Sequence, residues 1–493
     1  MKKLLALLLM SALLITTIGA SALAESTPVI TMLMSGDNTP AEDNLVLQEI
    51  EKRTGIKLVV NYISGSDYTQ KLNTMIASDT LPDVFHADGQ TGIDLRDAGK
   101  LYNIEALLEE YGQNVLAELG EDLYKMPINV GVDGIYGIRN NSQYYADNMV
   151  IRKDWLEAVG KEVPTNLEEL YDVLYAFTYN DPDGNGLDDT YGLSVSATNT
   201  QNWQHFFGAY GIAYKQNYLM EDGTVTTYMK APDYLTVIKY LRRLYHDGIM
   251  DPDFATLSNM QTFEKLWNGK IGFYAWEAVG PTNNWYPGRY TFEVPEDPAD
   301  FFAGIHFEGV TGGYRQYTSY TTPWVISAKC ADPAAAIKVL DYIMYTDEGN
   351  ELIYFGVEGV MFEWVDKANG KYRRLGIYTD DATHRAAGAF VYGYGWKLNN
   401  AEVKSLNAFT QQLQAEERAN LTDYPYIIQI LDTRAEYGTT LDQICAEAFA
   451  NLIVCDESEL EELYAEYVQQ WNDEGGLEFE EEATAAYWEE NPA

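Results

Sequence analysis

Apolar runs alternate with segments of helical periodicity along the first part of the chain. PVITMLMSGD (28–37) and IKLVVNYISG (56–65) are apolar, β-branched runs that end in polar residues, and LPDVFHADG (81–89) is a third such run. Two other stretches, AEDNLVLQEIEKRTG (41–55) and DYTQKLNTMIASD (67–79), space their apolar residues as one face of a helix requires. Alternation of this kind predicts a largely parallel sheet that is covered by helices.

Polar residues stand where these predicted strands end. Asp37 follows the first strand, and His86 and Asp88 lie at the end of the third. The carboxyl ends of parallel strands line the ligand crevice of an open α/β sheet. Asp37 and Asp88 are therefore candidates for ligand contact, and the alternative for each is a helix N-cap or a turn.

A second unit with similar patterns begins near residue 147. In VPTNLEELYDVLYAFTYND (163–181), Thr165 and Glu168 match a T-x-x-E capping box at the start of an apolar helix. LWNGKIGFYAWEA (266–278) has the pattern of a turn followed by a buried strand that ends at Trp276. YTTPWVISAKCADPAAAIKVLDYIMYTDEG (320–349) predicts another strand and then a helix, with Asp332 as its cap and Pro333 in its first turn. The C-terminal part of the chain is helical in pattern and finishes in an acidic tail (478–493), which we expect to be mobile.

The first residues have the composition of a targeting segment. In MKKLLALLLMSALLITTIGASALA (1–24), two lysines precede an apolar core, and the last three residues form a small-residue cleavage pattern. No later stretch contains the roughly twenty uninterrupted apolar residues that a membrane-spanning helix needs. We therefore predict a signal peptide over residues 1–24 and a soluble mature chain that is exported, being extracellular, associated with the cell surface or periplasmic.

Composition and charge narrow the class of protein further. The chain has 75 acidic and 33 basic residues, a formal net charge of −42, which repels phosphate backbones and argues against nucleic acid as a partner. A hydrophobic content of 46% with 13% aromatic residues excludes a disordered chain. A length of 493 residues exceeds the usual single domain, so we expect at least two cores.

Three cysteines are too few for a disulfide framework in an exported protein. Cys445 and Cys455 are ten residues apart and either form a local bridge or stay free thiols. The sequence leaves both alternatives open.

One polar stretch has the ligand spacing of an oxygen-coordinated cation site. In NDPDGNGLDDTYG (180–192), acidic and amide side chains alternate as in the first half of an EF-hand loop, with Gly186 at the sixth, turning position. The twelfth position, where an EF-hand carries a bidentate glutamate, is Gly192, which argues against a switching EF-hand. We predict a structural calcium site, the alternative being a metal-free loop of Asx turns. Its expected ligands are Asp181, Asp183, Asn185, the carbonyl of Leu187, and Asp189.

Motifs for catalysis are missing from the sequence. It contains no H-E-x-x-H, no G-x-S-x-G and no Walker loop, and its five histidines lack metal-ligand spacing. Nothing among the 75 acidic residues singles out the two carboxylates of a glycosidase, although so many acids do not exclude such a pair. We therefore predict a binding protein rather than an enzyme.

Four segments carry a family resemblance through their order and spacing. They are NMVIRKDWLEAVGKEVPTNLEELYDVLYAF (148–177), NDPDGNG (180–186), LWNGKIGFYAWE (266–277) and WVISAKCADPAAAIKVLDYIMYTDEGNELIYFGVEGVMFEW (324–364). Together they resemble the family 1 extracellular solute-binding proteins of ABC importers, the group that includes maltose-binding protein. The chain looks most similar to the larger oligosaccharide-binding members with a calcium loop, such as alginate-binding proteins. One departure is SALAES (21–26), which stands where Gram-positive members usually carry a lipobox cysteine.

The resemblance extends from about Pro28 to Trp471 and implies an α/β, two-lobed periplasmic-binding-protein-like fold of type II, with a hinge and an interlobe cleft. It assigns residues 25–140 and 322–392 to one lobe and residues 141–321 and 393–477 to the other, leaving the acidic tail outside both. The chain is then expected to cross between the lobes near Tyr136–Tyr145, Tyr317–Trp324 and Phe390–Leu398. Ligand binding in such a fold closes the lobes.

The resemblance also selects aromatic ligand contacts. Trp276 lies where maltose-binding protein presents a cleft tryptophan, and Trp203 lies in a segment that family members direct toward the sugar. Trp396 lies near the third crossing. Their rings would stack on sugar C–H groups, while core packing is the alternative for each.

Polar contacts follow from the same resemblance. Asp37 and Asp88 occupy positions where acids of the maltose-binding protein accept hydrogen bonds from sugar hydroxyls. Glu277 and Arg315 are further candidates, and Arg139 is either a hinge residue or a contact for an acidic sugar.

The sequence and the resemblance together predict an exported, monomeric solute-binding protein that captures an oligosaccharide and delivers it to the permease of an ABC importer. One alternative is a secreted polysaccharide-cleaving enzyme, which would share the export signal, the aromatic content and the acidity. Another is a receptor for a peptide or signal molecule on the same scaffold, since a fold does not fix its ligand.

Overall fold

The computed structural model describes twelve stretches of the chain. They are residues 27–35, 40–41, 43–139, 148–276, 290–295, 298–307, 323–367, 371–389, 409, 412–413, 415–416 and 424–492.

Strands and helices alternate within residues 27–139, as the periodicity predicts. Asn44 caps the first helix by accepting a hydrogen bond from Leu47 N at 3.0 Å, and Gly55, at φ 71°, ends it. The strands are β1 (Val29–Ser35), β2 (Lys57–Ile63), β3 (Val84–His86) and β4 (Gly137–Ile138). The helices are α1 (Leu45–Thr54), α2 (Gly65–Ala77), α3 (Gly89–Asp97), α4 (Glu105–Tyr111) and α5 (Gln113–Leu119).

Residues 148–307 form the next group of elements. The strands are β5 (Asn148–Arg152), β6 (Asn217–Leu219), β7 (Val225–Thr227), β8 (Phe273–Trp276) and β9 (Phe302–Ile305). The helices are α6 (Lys153–Val159), α7 (Leu167–Tyr179), α8 (Thr200–Gly208), α9 (Tyr234–His246) and α10 (Asn259–Trp267). β8 ends at Trp276, which confirms the strand predicted there.

The start of α7 differs from the predicted T-x-x-E box by one residue. Asn166 is the cap and accepts a hydrogen bond from Glu169 N at 2.9 Å. The carboxylate of Glu169, rather than that of Glu168, reaches back to Thr165 N at 2.8 Å. Asn166 thus takes the capping role predicted for Thr165, and Glu169 takes the role predicted for Glu168, each one residue later in the sequence.

Residues 323–492 complete the described chain. β10 (Trp324–Ile326) leads to α11 (Pro333–Tyr345), which Asp332 caps by accepting a hydrogen bond from Ala335 N at 2.9 Å, as predicted. The remaining elements are α12 (Asp347–Phe355), β11 (Phe362–Asp366), β12 (Lys371–Arg374), α13 (Asp381–Ala386), α14 (Asp432–Val454), α15 (Leu460–Trp471) and α16 (Leu477–Glu490).

Two separate cores make a two-lobed α/β fold, which confirms the predicted fold class. Lobe 1 consists of β1–β4, β10, α1–α5 and α11–α13, and its core draws on residues 30–138 and 324–389. Lobe 2 consists of β5–β9, α6–α10 and α14–α16, and its core draws on residues 149–307, Leu413 and residues 431–486. Both lobes are therefore built from discontinuous sequence. The exact lobe boundaries given above stay predictions.

The sheet of lobe 1 has the strand order β2-β1-β3-β10-β4. β1 is parallel to β2 and β3, as predicted, whereas β10 pairs antiparallel with β3 and β4. The sheet of lobe 2 has the order β8-β5-β9, and both of its pairings are antiparallel.

The acidic tail is a packed helix, so the prediction that it is mobile is wrong. Phe479, Ala483 and Ala486 of α16 are buried in the core of lobe 2. The carboxylate of Glu482 accepts hydrogen bonds from Asp432 N and Thr433 N, both at 2.9 Å, and so caps α14. The glutamates that suggested a solvated tail thus serve as acceptors for backbone N–H groups.

No helix in the described part of the chain is long and apolar enough to cross a membrane. The predicted signal peptide, residues 1–24, lies outside the described residues. All three cysteines are free thiols, so of the two alternatives for Cys445 and Cys455 the structure shows the unbridged one.

Candidate functional site

The crossings between the lobes mark one edge of each sheet, where the chain leaves or enters that lobe. The chain leaves lobe 1 after β4 and enters lobe 2 at the start of β5; it returns to lobe 1 at Trp324, the first residue of β10. In the sheet of lobe 1, Trp324 stands opposite both His86 and Ile138. Because β1, β2 and β3 are parallel, their carboxyl ends lie along this same edge. We call it the facing edge of lobe 1.

The facing edge of lobe 2 follows from the same crossing. Asn148 pairs with Trp276 at the end of β8, and Met149 pairs with Ile305 at the end of β9. Asn148, Trp276 and His306, which follows Ile305, therefore lie at one end of this sheet. The predicted cleft tryptophan stands at the edge nearest the crossing, although its side chain lies outside the described part of the structure.

An aromatic pair forms the middle of the facing edge of lobe 1. The rings of His86 and Trp324 are 3.5 Å apart between centroids and inclined by 37°. Tyr68 fixes the strand beneath them: its hydroxyl accepts a hydrogen bond from His86 N at 2.9 Å and lies 3.1 Å from the carbonyl oxygen of His86. Burial raises the pKa of Tyr68, so the hydroxyl stays protonated and can both donate and accept.

Asp88 is exposed and caps α3. Its carboxylate accepts hydrogen bonds from Thr91 N at 2.8 Å and from the Thr91 hydroxyl at 2.9 Å. The N-cap alternative considered from sequence is therefore realised. Each carboxylate oxygen has further acceptor capacity, so a role for Asp88 in ligand binding stays a prediction.

Asn202 holds the strand that carries Trp276. Its side chain is buried; Nδ2 donates to the carbonyl oxygen of Ala275 at 2.5 Å, and Oδ1 accepts from Ser196 N at 3.0 Å. The residue before Trp276 is thus tied to α8. Sequence reasoning missed Asn202, because one amide in a polar stretch gives no signal of the partner it finds in the fold.

Trp203 lies in the core of lobe 2, which corrects the ligand contact predicted for it. Its side chain is 0% exposed, and Nε1 donates to the carbonyl oxygen of Ser196 at 2.9 Å. The ring packs edge-on against Phe449 at 4.8 Å and Phe254 at 6.0 Å. Trp203 is therefore a core residue, which was the alternative to ligand contact, because neither face of its ring is open to a sugar.

His205 is a buried histidine that sequence reasoning did not select. It is 1% exposed, and neither ring nitrogen has a hydrogen-bond partner within the described residues. Burial lowers its pKa to about 3, and the nearby His306 contributes in the same direction. His306 itself pairs with Glu416, with Nε2 and Oε2 2.8 Å apart. His205 is therefore held as a neutral ring one helical turn after Asn202.

Arg139 is buried at the point where the chain leaves lobe 1. Its Nη2 lies 3.2 Å from Oδ2 of Asp122, and the hydroxyl of Tyr345 donates to its carbonyl oxygen. This arrangement fits the hinge alternative better than contact with an acidic sugar. Four other predicted contacts, Asp37, Glu277, Arg315 and Trp396, lie outside the described residues.

The predicted calcium loop brings its oxygen-bearing side chains together around Asn185. The backbone N–H of Asn185 donates to Asp181 at 3.0 Å. Its side-chain Nδ2 donates to Asp183 at 2.8 Å and to Asp189 at 3.1 Å. The side-chain N–H₂ of Asn185 thus lies between the carboxylates of Asp183 and Asp189. Rotating this amide by half a turn about its Cβ–Cγ bond would place Oδ1 there instead. Leu187 N donates to Oδ1 of Asn185 at 2.7 Å.

Lys270 is the cation that Asp189 meets in this structure. The lysine ammonium donates to Oδ2 of Asp189, and this hydrogen bond, followed by the one from Asn185, lowers the pKa of the aspartate. The described residues contain no group of three or more His, Cys, Asp or Glu side chains placed to hold a metal ion. The carboxylate and amide oxygens of the loop are of the kind that calcium prefers, and a calcium site here stays a prediction.

Gly192 shows why the loop cannot be completed as an EF-hand. A Cβ at this position would stand against the backbone carbonyl of Leu174 and 2.7 Å from Cγ2 of Ile249. Gly192 N also donates to the hydroxyl of Thr178 at 2.9 Å, which fixes the backbone. The core of lobe 2 therefore leaves no room for a side chain at the twelfth position of the loop.

Comparison with known proteins places this architecture in a family. The sequence profile of the family described as bacterial extracellular solute-binding protein matches residues 35–351. Lipoprotein LipO of Bacillus subtilis is 30% identical over 267 residues, which cover 52% of this chain and 51% of LipO. FusA, a fructooligosaccharide ABC transporter substrate-binding protein of Streptococcus pneumoniae, is 31% identical over 259 residues, covering 49% of this chain and 46% of FusA. The chain spans about half the length of the curated relatives it matches.

Solved structures of such proteins share the whole fold. An HMO-binding, ABC-transporter-associated solute-binding protein from Bifidobacterium longum infantis has a TM-score of 0.71 and 18% identity, covering 94% of this chain and 99% of that one. The alginate-binding protein AlgQ2, solved without calcium ion, has a TM-score of 0.69 and 19% identity, covering 94% and 98%. An EF-hand mutant of FusA in complex with fructo-nystose has a TM-score of 0.68 and 19% identity, covering 94% and 99%.

The profile match covers more than half of the chain, and FusA and AlgQ2 are named as binding proteins. Their two-lobed fold agrees with the two cores and the discontinuous sheets described above. The chain therefore belongs to the bacterial extracellular solute-binding proteins.

Proposed function

We propose that this protein captures an oligosaccharide between its lobes and delivers it to the permease of an ABC importer after export with cleavage of residues 1–24. The observation that carries the proposal is the pair of facing edges, which bring Trp276 and the His86–Trp324 pair to the ends of the two sheets at the crossings. Relatives and neighbours named for fructooligosaccharide, HMO and alginate binding favour a carbohydrate.

Capture works through a shift between open and closed arrangements of the lobes. A ligand that contacts both facing edges does so only when the lobes are closed, so its differential affinity for that state drives closure. Aromatic faces supply the apolar contact, while carboxylates and amides orient the hydroxyl groups. Asp88 and Trp276 are the proposed contacts whose backbone the structure describes; Asp37, Glu277, Arg315 and Trp396 complete the proposed set.

A thermal-shift screen tests the proposal directly. Fructans, milk oligosaccharides and alginate oligosaccharides are each added to the purified protein, and we expect one class to raise the melting temperature. The bound sugar is then recovered and its reducing ends are counted. New reducing ends would identify the polysaccharide-cleaving alternative, and stabilisation by a peptide pool but by no sugar would identify the receptor alternative.

We expect Trp276→Ala to weaken binding of the sugar found in that screen at least tenfold, a loss of about 1.4 kcal/mol, because a stacking face is removed at the facing edge of lobe 2. Titration calorimetry measures the change. Tyr175→Ala is the matched control: this aromatic residue is exposed on α7, and its ring lies beside those of Tyr171 and Tyr179 of the same helix. Equal affinity in the Trp276 variant and the wild type would remove Trp276 from the site.

We also propose that calcium binds the loop of residues 181–189 and holds its shape. Asp181, Asp183, Asn185, the carbonyl of Leu187, and Asp189 would supply the hard oxygen ligands that calcium prefers. The support lies in the convergence of these side chains on Asn185. Asp181 is held at φ 46°, an uncommon backbone conformation that a bound ion would help to stabilise.

Chelation should therefore destabilise the protein. At calcium concentrations near a hundred times the dissociation constant, binding stabilises the folded state by about 2.7 kcal/mol, so EGTA should lower the melting temperature by about 5 °C. Asp181→Asn should abolish the difference. Asp188→Asn, in the same exposed loop but outside the contacts around Asn185, should keep it. Identical melts of the wild type with calcium and with EGTA would dismiss the site.

A further inference from the structure

Residues 424–429 contact both cores. The side chain of Tyr426 packs against the core of lobe 1, and that of Ile427 packs against the core of lobe 2. Asn217 of β6 donates to the carbonyl oxygen of Pro425 at 3.2 Å, which adds a polar contact from lobe 2. We call residues 424–429 the bridging segment, because adjacent side chains within it belong to different lobes.

The last residue of α16 binds the lobe 2 end of the bridging segment. The carboxylate of Glu490 accepts hydrogen bonds from Ile428 N at 2.9 and 3.0 Å and from Gln429 N at 2.8 Å. An acidic residue is unfavourable at the C-terminus of a helix, where the helix dipole is negative. The position of Glu490 is therefore explained by its tertiary contact, since its own helix disfavours a negative charge there.

The remainder of α16 is firmly docked on lobe 2. Trp488 Nε1 donates to the carbonyl oxygen of Gly223 at 2.8 Å, and the hydroxyl of Thr484 accepts from Val225 N at 2.9 Å. Lys230 and Glu480 form an ion pair at 2.6 Å, in which both side chains are largely buried. Because α16 is docked on lobe 2, the hydrogen bonds to Glu490 hold the backbone of Ile428 and Gln429 fixed relative to that lobe.

We propose that Glu490 is a positioning residue for ligand capture, which anchors the bridging segment so that lobe motion pivots in residues 424–427. The inference rests on the proposed function. With Ile428 and Gln429 fixed, the segment has few conformations to lose when the lobes close. Without the anchor the open protein gains conformations, and the ligand must supply the free energy that orders them.

Distances between the lobes test the anchor without any ligand. Spin labels are placed at Lys71→Cys in α2 and Glu462→Cys in α15, two exposed positions on different lobes, in a Cys455→Ser background; Cys330 and Cys445 are buried. Pulsed electron paramagnetic resonance should show a broader distance distribution in Glu490→Gln. Glutamine offers one acceptor oxygen where the carboxylate offers two, and its N–H₂ would face a backbone N–H.

Two control variants separate the anchor from the docking of α16. Glu489→Gln changes an exposed neighbour whose contact is with the side chain of Gln429 at 3.4 Å, and it should leave the distribution unchanged. Glu480→Gln weakens only the ion pair with Lys230, while Thr484 and Trp488 keep the C-terminal half of α16 docked, so it should lower the melting temperature without broadening the distribution. Glu490→Asp keeps the charge but shortens the reach, and it should broaden the distribution less than Glu490→Gln.

Ligand capture supplies the second readout. A mixture of kestose, nystose and mannose–N-acetylglucosamine oligosaccharides is titrated, and the concentration that half-completes the shift to shorter distances is measured. We expect Glu490→Gln to need about three to ten times more of the mixture than the wild type. An unchanged distribution in Glu490→Gln, or equal broadening in Glu480→Gln, would overturn the inference. If no sugar shortens the wild-type distances, the proposed function fails, while the ligand-free distributions still decide the role of Glu490.

Discussion

Replacing Gly192 by glutamate, the residue that an EF-hand carries at this position, is expected to unfold lobe 2 rather than to tighten calcium binding. The new Cβ would stand against the carbonyl of Leu174 and 2.7 Å from Cγ2 of Ile249. A backbone carbonyl inside α7 cannot move aside as a flexible side chain can. We expect a loss of about 3 kcal/mol or more in the free energy of unfolding, measured by urea denaturation.

Two further substitutions identify the cause of that loss. Gly192→Ala adds the same Cβ without the carboxylate and should show most of the same loss. Gly184→Ala lies in the same loop, where a Cβ meets no atom within 4 Å and only the positive φ of 67° opposes it. It should cost about 1 kcal/mol. A Gly192→Glu variant as stable as the wild type, with tighter calcium binding, would show that the twelfth position is open.

Acidification from pH 7 to pH 5 is expected to cost about 2 kcal/mol through His205 alone. Burial lowers its pKa to about 3 in the folded protein, whereas the unfolded chain has the ordinary value near 6.5. Between these values the unfolded state binds more protons, so stability is complete above pH 6.5 and falls as the pH falls toward 3. Paired carboxylates such as Glu482 and Asp189, whose pKa values are lowered, lose their contributions only below about pH 4.5.

His205→Phe should remove this pH dependence. The ring shape is kept, and two buried nitrogens without partners in the described structure are lost, so stability at pH 7 should not fall. Urea denaturation at pH 7, 6 and 5 gives the slope for each protein. His246→Gln is the control, since His246 is exposed, and it should keep the wild-type slope. Equal slopes for wild type and His205→Phe would show that His205 is protonated without unfolding.

Local patterns predicted much of the fold. The alternation of strands and helices in residues 27–139, the end of β8 at Trp276 and the cap of α11 at Asp332 all follow from periodicity and capping chemistry. The antiparallel entry of β10 between β3 and β4 could not be predicted in this way, because strand neighbours far apart in sequence depend on the whole topology. Chain length and the second unit near residue 147 predicted at least two cores, and the family resemblance supplied the assignment of discontinuous segments to each lobe.

The candidate site was predicted less completely than the fold. In α8 the residues from Asn202 to Gly208 are all buried. The helix therefore has no polar face by which the sequence could distinguish a ligand contact from a core residue, and Trp203 is a core residue. The functions of Asn202 and Glu490 depend on which backbone groups they meet in the folded protein. The many acidic residues of α16 likewise led to the wrong prediction of a mobile tail. A glutamate that caps another helix cannot be distinguished in sequence from one that is exposed to solvent.

The position of β10 also has a consequence for how the chain is made. β4 joins the sheet of lobe 1 through β10, and β10 is synthesised after nearly the whole first part of lobe 2. A nascent chain that ends before Trp324 leaves the edge of β3 unpaired, and pairing across so long a loop is slow. Lobe 1 therefore stays incomplete while most of the polypeptide leaves the ribosome. Under the export proposed above, this delay would give a translocation machinery that threads unfolded chains time to engage the protein.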